Sequence, residues 1–475
     1  MATMSRAAGA ATEPDYRLPF VIGASSIGTV IEWYDFYLYA VLTAFLAPLF
    51  FPNENPTASL LAGFATFGAG FAVRPFGSIV FGHIGDKIGR KYAFLLTVSI
   101  MGLGTLIIGF LPAYAQIGVL APTILVLLRL LQGLAIGGEY GGAAIYVGEH
   151  APDGRRGFFT SWINTTATVG LVLALLVILI CRLVLGAETF AAWGWRVPFI
   201  LSVFLVGAAL YIRARLRETP LFSMLKAEGR SSQSPVKDSL GSRRNWRLIL
   251  LALFGATAGQ AVVWYQAQFQ ARTFLESQMA KPPDFVASYT VFIVALLLGT
   301  PLFVVMGALS DRVGRKPIIL GGCLLAAVTF YPIYVLMAHF ANPFNWFAEM
   351  LLVFIQMVYA AMVYGPMAAF LIEFFPARIR YTSMSLPYHL GNGEFGGWLP
   401  FIAVAITAAT GNAYAALIYP IAVALMTVVI GALFVRETRD VRIWDEVGGE
   451  PALVTRLAGP AVGARPIGDS EAVSG

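Results

Sequence analysis

Ionisable side chains stand inside otherwise apolar stretches of the chain, among them Glu32, Asp35, Arg74, Arg129, Glu139 and Glu394. A charge at the centre of a hydrocarbon layer costs about 2.5–3.5 kcal/mol on insertion scales, so such residues mark functional sites. Glu32 and Asp35 are three positions apart, which places them on one face of a helix. Two carboxylates sharing a low dielectric do not both ionise, so the pair can hold a proton at neutral pH. Proton binding and release by Glu32, Asp35 or Glu139, with Arg129 beside them, is one reading. Fixed ion pairs that hold helices together, with Arg129 as the partner of Asp35 or Glu32, are the other. Arg74 precedes Pro75, where a kink turns a guanidinium toward a cavity, and a guanidinium grips a carboxylate with two parallel hydrogen bonds. A helix-end hydrogen bond is the plainer role for Arg74.

The second half of the chain offers polar groups for the same cavity. Gln260, Trp264 and Gln268 recur every four residues, with Tyr265 beside them. Tyr364-Gly-Pro366 has the composition of a bent helix, and Tyr388, His389, Asn392 and Glu394 crowd a glycine-rich segment. Tyr34, Arg74, Tyr265, Gln268, Tyr364 and Asn392 are the candidate substrate contacts. His389 reads as a satisfied polar contact, not a proton relay. No nucleophile–base set is visible, so an enzyme is not expected. No phosphate-binding loop occurs, so ATP is not the energy source. Cys181 and Cys323 are distant and lack metal-ligand spacing, which leaves no metal, cofactor or disulfide framework in prospect.

The elements that position these groups follow from composition. Of 475 residues, 58% are hydrophobic and only 12% charged, with mean hydropathy +0.74, whereas globular chains are about a quarter charged. Continuous apolar runs long enough for a membrane helix, about 20 residues, recur over 20–50, 58–82, 92–112, 121–148, 157–185, 194–214, 246–275, 286–309, 317–340, 346–374, 381–408 and 412–434. Continuity, as opposed to alternation, makes them helices and not barrel strands. The first 17 residues lack the apolar core and cleavage site of a signal peptide. With the N-terminus inside, 26 of the 32 Lys and Arg fall in inner segments, which predicts both termini in the cytoplasm. The net charge of +6 is then a topology signal, with no basic soluble domain to bind nucleic acid.

The chain repeats itself. Gly82-His-Ile-Gly-Asp86-Lys-Ile-Gly-Arg90-Lys91 follows the second run, and Gly307-Ala-Leu-Ser-Asp311-Arg-Val-Gly-Arg315-Lys316 follows the eighth, 225 positions on. Glu149-His-Ala-Pro152 and Arg156 return as Glu373-Phe-Phe-Pro376 and Arg380, displaced by 224. Arg217-Glu-Thr219 returns as Arg436-Glu-Thr438. These repeats predict an all-α membrane protein of twelve helices in two halves, 18–214 and 246–435. A cytoplasmic tail precedes them (1–17), a Ser-rich charged linker joins them (215–245), and a second tail follows (436–475). Asp86, Arg90, Asp311 and Arg315 stand at helix ends, where charge pairs can latch the halves together.

The paired Gly-x-x-x-Asp-x-x-Gly-Arg-Lys loops resemble those of the major facilitator superfamily over about residues 18–440. Glu32-Trp-Tyr-Asp35-Phe, Arg74-Pro-Phe-Gly, Arg129-Leu-Leu-Gln-Gly and Gly137-Gly-Glu139-Tyr-Gly-Gly resemble, more narrowly, the metabolite:proton symporters, which carry α-ketoglutarate, citrate, shikimate, and proline or betaine. The resemblance implies a monomeric carrier of small molecules and protons in the bacterial inner membrane, with Arg129 in proton coupling. Glu394 departs from the pattern, since relatives carry an aromatic there. The drug-antiporter and sugar-porter signatures are absent, and no heptads extend the C-terminus into a coiled coil. Three functions follow as expectations: a proton symporter of a small organic acid; a symporter of a zwitterion, served by the aromatics Tyr34, Trp264 and Tyr265; and a non-transporting membrane sensor, which the lack of a soluble domain disfavours.

Overall fold

The computed structural model describes residues 18–88, 90–138, 140–214, 241–278, 283–376 and 380–443. Apolar side chains cannot shield backbone polar groups from lipid, so each run closes its own hydrogen bonds as a helix. In chain order these are α1 (Leu18–Phe50), α2 (Pro56–Ala72, then Arg74–Ile88), α3 (Arg90–Phe110) and α4 (Leu120–Gly137, then Tyr140–His150). α5 (Arg156–Leu185) and α6 (Val197–Ala214) complete the first set. The second set begins with α7, which opens at Arg243–Ala252 and ends in a π turn over Phe274–Gln278. It continues through α8 (Phe285–Val313), α9 (Arg315–Phe340), α10 (Trp346–Tyr364, then Met367–Phe374), α11 (Arg380–Leu390, then Leu399–Thr410) and α12 (Ile418–Phe434).

Ten of these segments are by themselves long and apolar enough to cross a bilayer. The two others differ for distinct reasons. α3 contributes only the shorter apolar stretch Leu95–Phe110. α11 begins with Arg380, Thr382, Ser383, Ser385 and His389, all buried against protein instead of lipid.

Interruptions fall where the sequence is least helical. α10 breaks at Gly365-Pro366, as its composition predicts, and a Cβ on Gly365 would lie 2.6 Å from the Phe303 carbonyl oxygen of α8. α2 breaks at Val73, just before Arg74-Pro75, where proline suits a helix start. α7 was expected as one regular helix but holds three π turns, at Leu253–Thr257, Gln266–Gln270 and Phe274–Gln278. α11 has another over Gly391–Gly397. Such turns admit an extra residue and re-aim side chains, and they cluster at functional sites.

Because each set holds an even number of crossings, the chain enters α1 and leaves α12 at the same end, here the terminal end. The two sets touch on both sides of the centre. Toward the terminal end, a Cβ on Gly307 of α8 would lie 2.6 Å from the Gly157 carbonyl of α5. At the opposite end, Arg272 of α7 donates to the Val41 carbonyl of α1 at 2.9 Å.

Candidate substrate and proton site

Glycines place the central arginines. A Cβ on Gly133 or Gly137 of α4 would collide with the Gly70 or Arg74 carbonyl of α2, and one on Gly77 with the Leu134 carbonyl. α2 and α4 therefore meet backbone to backbone, the small-residue contact of membrane helix pairs. That contact brings Arg74 and Arg129 to one ring: their guanidinium carbons lie 4.5 and 4.1 Å from the centre of Phe36. Arg74 also stacks on Phe71 at 3.6 Å and Trp33 at 5.3 Å. It is fully buried, and among the described residues none of its three guanidinium nitrogens has a hydrogen-bond partner.

Aromatic groups of both sets surround this cation. Tyr265 meets Phe71 edge-on at 5.5 Å, and Tyr37 stacks on Trp264 across the halves. Tyr140 of α4 stacks flat on Tyr388 of α11 at 3.6 Å, and Tyr388 shares a 2.7 Å hydroxyl contact with Tyr364 of α10. Beside Arg74 is a narrow cavity, with room for about one water molecule, lined by Glu32, Trp33, Tyr140, Tyr388 and His389.

The other predicted residues divide. Asp35 is buried, yet neither of its oxygens has a hydrogen-bond partner, and it does not line the cavity with Glu32. The helical repeat sets the two carboxylates about 60° apart, enough to separate their surroundings. Arg129 donates to Gln132 at 2.9 Å, and Gln132 donates onward to Thr105 of α3 at 2.8 Å. The expected ion pair of Arg129 with Asp35 or Glu32 is not formed, because the Phe36 and Tyr39 rings cover the guanidinium. Tyr34 points away from the arginine and donates to the Pro198 carbonyl of α6 at 2.8 Å. Gln268 accepts from Thr168 of α5 at 3.2 Å, and Asn392 exchanges hydrogen bonds with Gln260. His389, expected to be a satisfied polar contact, has the Gly137 backbone beside its ring but, among the described residues, no hydrogen bond of normal geometry at either nitrogen. Glu139 and the side chains of Asp86 and Arg90 lie outside the described residues.

A second constellation closes the terminal end. Asp311 of α8 accepts from the backbone N–H of Gly157 and of Phe158, each at 2.8 Å, so its carboxylate caps α5 of the other half. Arg315 binds Asp311 at 2.6 Å and grips Glu373 of α10 through two nitrogens, at 3.1 and 3.0 Å. Gly314 between them has φ +117°, open to glycine alone, and the Glu437 carboxylate occupies the space of a Cβ. Arg156 of α5 reaches the same Glu373 at 3.0 Å, and Arg380 of α11 lies 3.7 Å from Glu149 of α4. Glu373 and Arg156 were missed as site residues, although the repeat displaced by 224 positions had already paired each with its counterpart.

Comparison with known proteins fits this geometry. The model of the sugar (and other) transporter family matches residues 21–247 and 228–444. The glycine betaine/proline/ectoine/pipecolic acid transporter OusA of Dickeya dadantii is 32% identical over 435 residues, 90% of this chain and 85% of that protein. The alpha-ketoglutarate permease of Escherichia coli is 35% identical over 391 residues, 82% of this chain and 87% of the permease. The solved structure of the proton:xylose symporter XylE bound to 6-bromo-6-deoxy-D-glucose superposes with TM-score 0.69 at 17% identity, covering 91% of this chain and 98% of XylE. The fold is thus the twelve-helix major facilitator fold, and the protein is a multi-pass membrane transporter of small molecules, not an enzyme. The chain belongs to the sugar (and other) transporter family of the major facilitator superfamily, within its metabolite:proton symporters.

Proposed function

We propose that the protein is a proton-coupled symporter of small organic acids, working by alternating access in the bacterial inner membrane with both termini in the cytoplasm. The observation that carries this reading is Arg74, a buried guanidinium without a hydrogen-bond partner between the two halves. An uncompensated buried cation costs several kcal/mol, and a substrate carboxylate supplies the missing acceptors. Tyr265, Tyr364, Gln268 and Asn392 shape the rest of the site. Asp35 serves as a proton carrier, because a buried carboxylate without a partner is far cheaper neutral than charged. Glu32, Glu139 and Arg129 complete the proton-coupling set.

Asp311 and Arg315 act as the cytoplasmic gate, with Asp86 and Arg90 as their counterparts in the first half. The excess of basic residues in the segments at the terminal end supports the orientation. Contacts between the halves on both sides of Arg74 correspond to an occluded state of the cycle.

A zwitterion such as proline or betaine is the second reading, favoured by the density of aromatic rings. Those rings, however, already carry Arg74 on Phe36, Phe71 and Trp33, which leaves less π surface for a substrate ammonium. A thermal-shift screen against organic acids, amino acids and betaines separates the two. A ligand at 100 times its Kd stabilises the folded state by about 2.7 kcal/mol. Shifts by organic acids that vanish in Arg74→Gln are expected. A shift by betaines alone would favour the zwitterion, and uptake indifferent to a protonophore would remove the proton.

A further inference from the structure

Among the buried titratable groups, His389 has no role in the cycle drawn so far. It stands near the end of the first piece of α11, fully buried. The Gly137 backbone runs beside the ring, yet neither ring nitrogen makes a hydrogen bond of normal geometry. A neutral imidazole carries one donor and one acceptor, and burying both unpaired is costly.

The water-sized cavity offers the missing partner. Its walls bring His389 from the second half together with Glu32 from the first. A buried water with polar partners makes two to four hydrogen bonds, and Glu32 and His389 both line this cavity.

We propose that His389 is the proton-binding group of the second half, sharing one proton with Glu32 through a water in this cavity. The proposal rests on the symport reading and deepens it. The Glu32 carboxylic acid releases its proton to the water, which passes one of its own to the imidazole; carboxylate and imidazolium result, with no net change in the cavity. Because Glu32 and His389 belong to different halves, the shared proton joins the halves where they must part. Its loss leaves the Glu32 carboxylate facing an imidazole that can donate only once, and the halves separate.

The charged and titratable groups around the ring are Glu32 on α1, Arg74 on α2, Tyr140 on α4, Tyr364 on α10 and Tyr388 on α11. Among the described residues, Glu32 is the carboxylate that lines the cavity with the ring.

The test needs no substrate. Spin labels at Pro152→Cys and Val313→Cys, both exposed near the terminal end, report separation of the halves in the full-length protein. Raising the pH from 6 to 9 should move the wild-type population toward the longer distance by tenfold or more. His389→Gln and Glu32→Gln should each abolish that response, and the double variant should add nothing further. Protonation of the latch carboxylates gives the opposite sign, opening as the pH falls. Matching low-pH distances in wild type and variants would show intact folding, and His389→Asn provides a second test if His389→Gln does not fold. A wild-type pH response retained in either histidine variant would overturn the proposal, as would a wild type with no response. Failure of gradient-driven uptake in liposomes would instead sink the symport reading, since the distances are read without transport.

Discussion

Arg156 of α5 and Glu373 of α10 form a buried ion pair at 3.0 Å that joins one half of the transporter to the other. The internal repeat supplies its mirror image, Arg380 of α11 at 3.7 Å from Glu149 of α4. In each case the arginine of one copy binds the glutamate of the other copy. A sequence element duplicated within one chain thus becomes a self-complementary contact, much as the two faces of a symmetric dimer meet. The symmetry is incomplete. Glu373 also receives Arg315 and the Thr438 hydroxyl, and its pair with Arg156 is the shorter of the two.

That asymmetry predicts unequal variants. Removing one partner of a buried pair costs roughly 3–5 kcal/mol, because the other charge is left stranded. Glu373→Gln takes one carboxylate from Arg156 and Arg315 together, leaving them Asp153 and Asp311. It should open the terminal end, shifting label distances between α5 and α11 by a population change of tenfold or more. Glu149→Gln, at the longer pair, should shift them less. Equal effects would mean that the two pairs share the load evenly.

Asp311 tests the proposed gate from the α8 side. Its carboxylate caps α5 across the interface, and loss of a cap costs about 0.5–2 kcal/mol. Asp311→Asn keeps one acceptor but loses the charge. Transport should fall while substrate still protects the protein against heat, because rocking fails before recognition. Loss of that protection with unchanged distances would move Asp311 from the gate to the site.

Arg74 should be irreplaceable even by lysine. A point-charge ammonium cannot reproduce the flat stacking on Phe71 and Phe36 or a two-pronged grip. A charged hydrogen bond contributes about 1.5–3 kcal/mol, so Arg74→Lys should weaken carboxylate binding roughly 10- to 150-fold. Titration calorimetry on the acid that the screen identifies measures this directly. Wild-type affinity in Arg74→Lys would place the carboxylate elsewhere.

Much of this was legible in the residues. Apolar continuity marks the helices, Gly365-Pro366 the break in α10, and the duplicated loop the position of the Asp311–Arg315 pair. Arg74 was legible as a guanidinium before a proline in an apolar run. What could not be read was direction. Glu32 and Asp35 share a stripe on paper, but a 60° turn gives one the cavity and buries the other away from it. Tyr34 looks like a cavity aromatic and instead ties α1 to α6. The π turns of α7 left no mark in composition, whereas that of α11 falls on the glycine-rich segment Gly391–Gly397.

Asp35 should separate accumulation from exchange. If it carries the proton, Asp35→Asn should abolish uptake driven by an inward-acid gradient in liposomes. Exchange between labelled and unlabelled substrate should persist, since it requires binding and rocking but no proton release. Intact accumulation in Asp35→Asn, Glu32→Gln and Glu139→Gln alike would show that the proton travels by another group.

The glycine contact of α2 and α4 yields the sharpest structural prediction. A methyl group on Gly133 has nowhere to go, because the obstacle is the Gly70 carbonyl, rigid backbone that no rotamer change can move. Gly207 in α6 is the control: nothing lies within 4 Å of its Cβ position. Both are helical glycines, so replacement by alanine should stabilise each by about 0.5–1 kcal/mol through the backbone alone. At Gly133 overpacking opposes this by roughly 1–3 kcal/mol, and the net effect should be a loss. Forcing α2 from α4 also moves Arg74 and Arg129 off the Phe36 ring they share, so carboxylate binding should weaken along with stability. Thermal unfolding of purified Gly133→Ala and Gly207→Ala therefore should move in opposite directions, with ligand protection lost only in the first. If Gly133→Ala is as stable as the wild type and still binds, the α2–α4 contact does not set the position of the arginines.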